Sequence, residues 1–348
     1  MVAPGGGGGG AASWPSEGEL DVVRAKVVEI SGRGAGEVRV VACPYRICPL
    51  GAHIDHQGGT VTAMTINYGV LLGFVASDDA EISLQSGQFE GVIRFRVDDL
   101  QKPIENPENI NWESYARGAV YALQNFGYDL KKGIIGYISG VKGLDSSGLS
   151  SSAAVGIAYL MALENVNDLV VSPVDNIQLD KSIENKYLGL ENGILDPSAI
   201  LLSRYGYLTF MDCKVVLSLV FSESCEDASS ILRNVNPAIY EAQKCILEEN
   251  LARRAEHYFS EMKRVVKGSK EMIQLYEILL KAPGVLGARF SGAGFRGCCL
   301  AVVESGHAEA AAAFVRAEYE KAQPELVSKI PPGRRVLVCE PGDGARVI

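Results

Sequence analysis

The amino-acid sequence predicts an α+β fold, and three observations lead there. Strand-like and helix-like segments are interspersed without a strict βαβ rhythm, which speaks against a doubly wound sheet. One helical stretch, 149–164, is rich in Ala and Leu and almost free of charge, as a helix central to a domain would be. The chain of 348 residues exceeds one ordinary domain and fits two of ~150 residues sharing an interface.

Taken in order, residues 1–18, with the glycine run 5–10, predict a disordered tail. They show neither the basic start nor the apolar stretch of a signal peptide. Residues 37–43 read as a strand, followed by a Pro/Gly-rich loop over 44–59, and β-branched alternation predicts more strands across 61–97. Asn111 suits the N-cap of a helix running to about Phe126, and 134–141 is another strand. A loop of Gly, Asp and Ser then leads into the apolar helix. Ser172 followed by Pro173 marks the start of a helix to Leu188. A second half begins near Cys213, so the expected domains are 19–212 and 213–348. It holds a charged helix 237–266, a helix 272–280, a strand–loop–strand around 289–303, a helix 307–323 and a last strand 335–338.

Charge and composition exclude several function classes. With 33 basic against 42 acidic residues the net charge is −9, which argues against a nucleic-acid surface. The longest apolar stretches, such as 66–75, fall well short of the ~20 residues that span a bilayer. Eight cysteines (43, 48, 213, 225, 245, 298, 299, 339) show no CxxC spacing and read as reduced, buried thiols of a cytoplasmic protein. Four histidines make a His-rich metal site unattractive. Nothing in the sequence sets an oligomeric state.

Four constellations carry chemistry. The first runs from Lys142 through Gly143, Leu144, Asp145, Ser146, Ser147, Gly148, Leu149, Ser150, Ser151 and Ser152 to Ala153 and Ala154. Small residues let backbone N–H groups close round an anion, and the following helix N-terminus adds a positive dipole end. The Gly143-x4-Gly148 spacing mimics a Walker A loop, but no lysine follows, so helix, hydroxyls and metal must meet the charge. A plain helix-capping loop is the competing reading, weakened by the three successive serines.

The second constellation, Gly292-Ala293-Gly294-Phe295-Arg296-Gly297, is a formal GxGxxG, but a strand-like run follows it instead of a helix. A dinucleotide fingerprint is therefore rejected in favour of a glycine turn between strands. The third groups Arg46, His53 and Asp55 within ten positions of one loop, which suits a polar small molecule better than a metal. The fourth pairs Glu184, late on a helix, with Asp196, just after Gly193 at a turn. One carboxylate can hold Mg²⁺ while the other deprotonates a hydroxyl; singly, each reads as a solvated acid.

In this order, the segments resemble the sugar kinases of the galactokinase branch of the GHMP superfamily. The loop with Arg46, His53 and Asp55 is similar to the family's sugar motif, Gly148 to Ala154 to its ATP loop, and Gly292 to Cys298 to its third motif. Trp112-x2-Tyr115-x2-Gly118 and Arg253-Arg254-Ala255-x-His257 add to the likeness, which covers roughly 35–340. The resemblance implies a ribosomal-protein-S5-domain-2-like N-terminal domain and a ferredoxin-like C-terminal domain, with the site between them.

The resemblance further implies Asp196 as the proton acceptor and Arg46 as its catalytic neighbour. It implies Mg²⁺ on Glu184 and Ser152, and sugar contacts from Ala52, His53, Asp55 and Gly193. ATP would lie on Gly143, Ser146, Ser147, Gly148, Leu149, Ser150, Ser151 and Ser152, with Gly292 and Gly294. Two departures matter. Where the family has a Glu facing the sugar's C6 hydroxyl, this chain has Ala52, which removes a like-charge clash with a C6 carboxylate. Tyr45, His53 and His56 are candidates to meet that carboxylate. The chain is also shorter than the family after Cys213 and between Gly268 and Met272. The expected activity is ATP-dependent phosphorylation of D-galacturonate at its anomeric hydroxyl. A galactokinase-like enzyme acting on another sugar, and a non-catalytic sugar sensor, are the alternatives.

Overall fold

The computed structural model describes residues 14–51, 54–55, 59–140, 148–213, 269–291 and 297–348. Strands β1 (Arg39–Leu50), β2 (Thr60–Ala76), β3 (Glu81–Ser86), β4 (Val92–Arg96) and β5 (Ile134–Gly140) build one sheet. Its order is β4-β3-β5-β2-β1, and only β3 and β5 run parallel. The long β2 is the organiser: one end pairs with β5 and the other with β6 (Thr209–Asp212). β1 continues through the stretch expected to be a loop. Its two prolines, Pro44 and Pro49, lie where the register against β2 shifts, so the missing N–H groups break no regular ladder.

Helices cover both faces. α1 (Glu17–Ser31), which the sequence reading did not anticipate, starts on a capping box in which Ser16 and Glu19 satisfy each other's backbone N–H. Its Leu20, Val23 and Val27 are buried, Leu20 and Val23 packing with Val40, Ala42 and Leu71, and Trp14 joins them. Residues 14–18 are thus part of the fold rather than of the expected tail. On the other face lie α2 (Trp112–Asn125), capped by Asn111, and α3 (Ser151–Val166). α4 (Pro173–Lys181) begins on Ser172 as expected but gives way to a π-helical turn, Ser182–Tyr187, and α5 (Leu195–Leu202) follows.

In the second half, α6 (Lys270–Leu279) and α7 (Ala308–Ala322) pack on an antiparallel pair, β7 (Val285–Phe290) and β8 (Cys299–Val303), around Ala282, Ala311 and Val315. The helix expected over 237–266 lies outside the described residues. The last strand is not at 335–338: Val336 packs on the α7 cluster, and Arg316 Nη2 binds its carbonyl, so no strand edge is offered there. Instead β9 (Arg346–Val347) returns to the first sheet and pairs with β1. Among the described residues no helix is long and apolar enough to cross a membrane.

One buried acid in this core serves no site. Glu164 of α3 receives a 3.2 Å bond from Asn176 Nδ2 of α4, while its Oε1 has no partner among the described residues. Burial pushes its carboxyl from 4.5 to about 7, against the lowering effect of Asn176. The folded state therefore holds this proton more tightly than the unfolded chain. The stability it contributes is full below pH 4.5 and fades as pH rises through 7. Glu164→Gln should remove that decline, on the order of 3 kcal/mol, in urea unfolding compared at pH 5 and pH 8.

Candidate active site

The site grows from one buried arginine. β1 turns the Arg46 side chain inward at its register shift, and its backbone N–H bonds the Leu149 carbonyl of the glycine–serine loop. Arg46 is 7% exposed, and a charge so buried must be paired. Its Nε and Nη2 donate to Asp196 Oδ1 at 2.8 and 2.7 Å, and its Nη1 donates to the Gly148 carbonyl at 2.8 Å. Burial lowers the guanidinium's pKa, but the Asp196 carboxylate outweighs this and raises it. Asp196 itself keeps a side chain 27% exposed, so it is anchored from behind and open in front.

Asp55 stands next to it at the start of α5. Its Oδ2 accepts the Leu195 N–H at 2.9 Å, at the positive end of that helix. Gly193 makes this approach possible, because a Cβ there would lie 1.8 Å from Asp55 Oδ2. The loop carrying Gly193 is shaped by Asn185, whose amide exchanges two hydrogen bonds with the Asn192 backbone.

The N-terminus of α3 faces the same region. Gly148 and Ser150 both adopt left-handed backbone, with φ of 71° and 63°. For serine this is a strained conformation of the kind concentrated at functional sites, and it starts the helix at Ser151 instead of the expected 149. Ser150 makes no side-chain cap, its buried Oγ has no partner among the described residues, and the first turn holds no acid. A helix N-terminus without a side-chain cap or acid of its own suits an anion.

Glu184 lies on the π-turn, 1% exposed. Burial and then the Asp196 charge push its carboxyl up to about 7, while Asn192 and Ser152 pull the other way. Asn192 Nδ2 donates to Oε2 at 2.9 Å, and among the described residues Oε1 has no partner. An orphaned, buried carboxylate oxygen beside the Ser152 hydroxyl is a hard-oxygen donor set, which fits Mg²⁺. Asp180, one turn earlier, is also fully buried; burial, then the Glu184 and Asp196 charges, raise its pKa well above the usual carboxylate range.

The structure therefore brings together Arg46, Asp55, Gly148, Leu149, Ser150, Ser152, Glu184, Gly193 and Asp196. Ser151 opens α3 beside them. Ala52, His53, His56, Gly143, Ser146, Ser147, Gly292 and Gly294 lie outside the described residues. The strands that flank the GxGxxG segment pair with each other, as the hairpin reading requires. Tyr45 is fully buried in the core between sheet and helices, its hydroxyl beside Gly140. Sequence reasoning missed three residues. Asn192 carries no signal but an Asn beside the Gly193 turn. Ser291, whose Oγ donates to the Gly148 carbonyl at 2.8 Å, directly precedes the third motif. Arg289 donates to the Pro49 carbonyl at 3.1 Å and ties β7 to the end of β1.

Comparison with known proteins places this geometry. The family description "GHMP kinases N terminal domain" matches residues 114–204, and "GHMP kinases C terminal" matches 242–321. The chain is 51% identical to a galacturonokinase of Arabidopsis thaliana, over 97% of this chain and 100% of that protein. The chain belongs to the GHMP kinases. This kinase is also 30% identical to a galactokinase of Clostridium perfringens strain SM101, over 76% of this chain and 86% of the other. The crystal structure of Lactococcus lactis galactokinase with galactose superposes with a TM-score of 0.77 at 25% identity, covering 94% of this chain and 99% of that one. The alignment to the Arabidopsis protein runs over 422 positions, more than the 348 residues of the GHMP kinase described here, so the relative carries segments with no counterpart. As a kinase the chain uses ATP as co-substrate.

Gly193→Ala should displace Asp55 and raise the KM for the phosphoryl acceptor about tenfold or more, with the KM for ATP little changed, in steady-state kinetics.

Proposed function

We propose that this kinase transfers the γ-phosphoryl group of ATP to the anomeric hydroxyl of D-galacturonate, giving galacturonate 1-phosphate. The observation that carries the reaction is the Arg46–Asp196 pair: one carboxylate oxygen is held by two guanidinium nitrogens, while the carboxylate stays partly open. The anomeric oxygen forms the new bond to phosphorus, the bond to the β-phosphate bridging oxygen breaks, and ADP leaves. The hydroxyl proton goes to Asp196. Arg46 keeps that carboxylate aimed and offsets charge that develops beside it.

Phosphates would rest on the N-terminus of α3 and its serines. Glu184 and Ser152 would hold Mg²⁺, which when bound neutralises phosphate charge. Asp55 and Gly193, with Ala52 and His53 beside Asp55 in the sequence, would bind the sugar. The substrate rests on the likeness to the Arabidopsis galacturonokinase and on Ala52, which leaves room and no negative charge for a carboxylate at C6. An adenine platform is also at hand. Phe89 and Trp112 lie parallel within 8°, their centroids 6.4 Å apart, and Phe89 follows the end of β3, which pairs with β5 just before the ATP loop. The two family matches fall on either side of position 212, which supports domains at 19–212 and 213–348 with β9 returning to the first. A cytoplasmic location, where ATP is supplied and thiols stay reduced, belongs to the same proposal.

The test is ADP release with Mg²⁺ and ATP against galacturonate, glucuronate, galactose and arabinose. Turnover mainly on galacturonate is expected; a preference for galactose overturns the role of Ala52. Folded protein inert on every sugar overturns the kinase reading in favour of a sensor. Asp196→Asn should cut kcat by about a thousandfold while nucleotide binding, followed by calorimetry, persists. Trp112→Ala should raise the KM for ATP about tenfold and leave the sugar KM unchanged.

A further inference from the structure

Two rungs join α3 to α4 and the π-turn that follows it. In the first, the Ser152 hydroxyl lies against the Glu184 carboxylate. In the second, about one turn along both helices, Gly156 faces Asp180: a Cβ on Gly156 would lie 2.5 Å from Asp180 Oδ1. Asp180 is 0% exposed, and among the described residues neither of its oxygens has a hydrogen-bond partner. The Cys43 thiol of β1 and the Tyr115 ring of α2 stand near it, and the charges that act on it, Glu184 and Asp196, are both acidic. Buried carboxyl groups are almost always bonded or paired. Here three carboxylate oxygens, both of Asp180 and Oε1 of Glu184, lack a donor among the described residues.

We propose that Asp180 is a positioning residue for the metal rung, accepting hydrogen bonds from water molecules that a Mg²⁺ on Glu184 and Ser152 retains. This rests on the reading of Glu184 and Ser152 as the metal's ligands. Mg²⁺ dehydrates reluctantly and keeps several waters, whose strongly polarised O–H groups need acceptors. Asp180 presents two unclaimed acceptors one turn from Glu184, and the missing Cβ of Gly156 lets α3 come close enough to share them. Such outer partners orient the ligands and typically change metal affinity 10–100-fold when removed.

The experiment follows Mn²⁺ in place of Mg²⁺, by electron paramagnetic resonance and water-proton relaxation, binding to the full chain with a non-hydrolysable ATP analogue. Asp180→Leu keeps the branched shape but offers no acceptor. It should weaken Mn²⁺ binding at least tenfold, leave galacturonate KM unchanged, and leave thermal stability equal or higher. Asp180→Asn retains one acceptor oxygen and should fall between the two; it carries the same expectation if the leucine variant does not fold. Mn²⁺ binding in Asp180→Leu, or in Asp180→Asn where leucine fails, as tight as in the unaltered protein overturns the proposal. Glu184→Gln separates the causes. If it weakens Mn²⁺ binding while the Asp180 variants do not, only this inference falls. If it too leaves Mn²⁺ binding unchanged, the ligand assignment falls and the inference with it.

Discussion

A single buried guanidinium holds this site together. Arg46 enters the protein interior from β1, and a charge there is tolerable only if its donors are met. Meeting them draws in Asp196 from α5 and the Gly148 carbonyl from the loop before α3, while its own backbone holds Leu149. Three segments far apart in the chain are fixed relative to one another by one side chain. Ser291 extends the clamp, because its hydroxyl shares the Gly148 carbonyl and so ties the second half of the chain to the same point.

Around this cation the site is a reservoir of negative charge waiting for positive partners. Asp55, Asp180, Glu184 and Asp196 converge on a few turns of helix, three of them deeply buried. In water each would ionise freely; inside, burial and mutual repulsion resist it, which is why Glu184 is pushed up to about 7. The arrangement makes sense for a reaction that brings in a nucleotide with its metal. The left-handed Ser150 and the start of α3, which has no side-chain cap and no acid in its first turn, are the complementary half, a positive dipole end.

Local chemistry was readable in the sequence wherever a few neighbouring residues decide the outcome. Asn111 and Ser172 mark true helix starts, since a cap needs only its own N–H partners two or three positions on. The serine run before an apolar helix and the glycine turn between strands were legible for the same reason, as was the family. α1 starts on a local signal, the Ser16–Glu19 capping box, but the glycine run before it in the sequence favours a tail. β1 was cut short at Pro44, because proline signals a loop until a bulge absorbs it.

What the sequence by itself determined is therefore the inventory: an α+β kinase chain, its motifs, and the residue types able to bind phosphate, metal and sugar. Tertiary structure alone decided which of them meet. Arg46 and Asp196 lie 150 positions apart, and nothing in either segment states that one oxygen will take two guanidinium nitrogens. Likewise 335–338 has the look of a strand but finds no free edge, whereas two residues at the very end of the chain find β1. Nothing in the sequence links Asp180 to Gly156, which meet only where α3 and α4 pack together. Pairing of this kind depends on the geometry of packed elements, a property of the closed chain that no local pattern encodes.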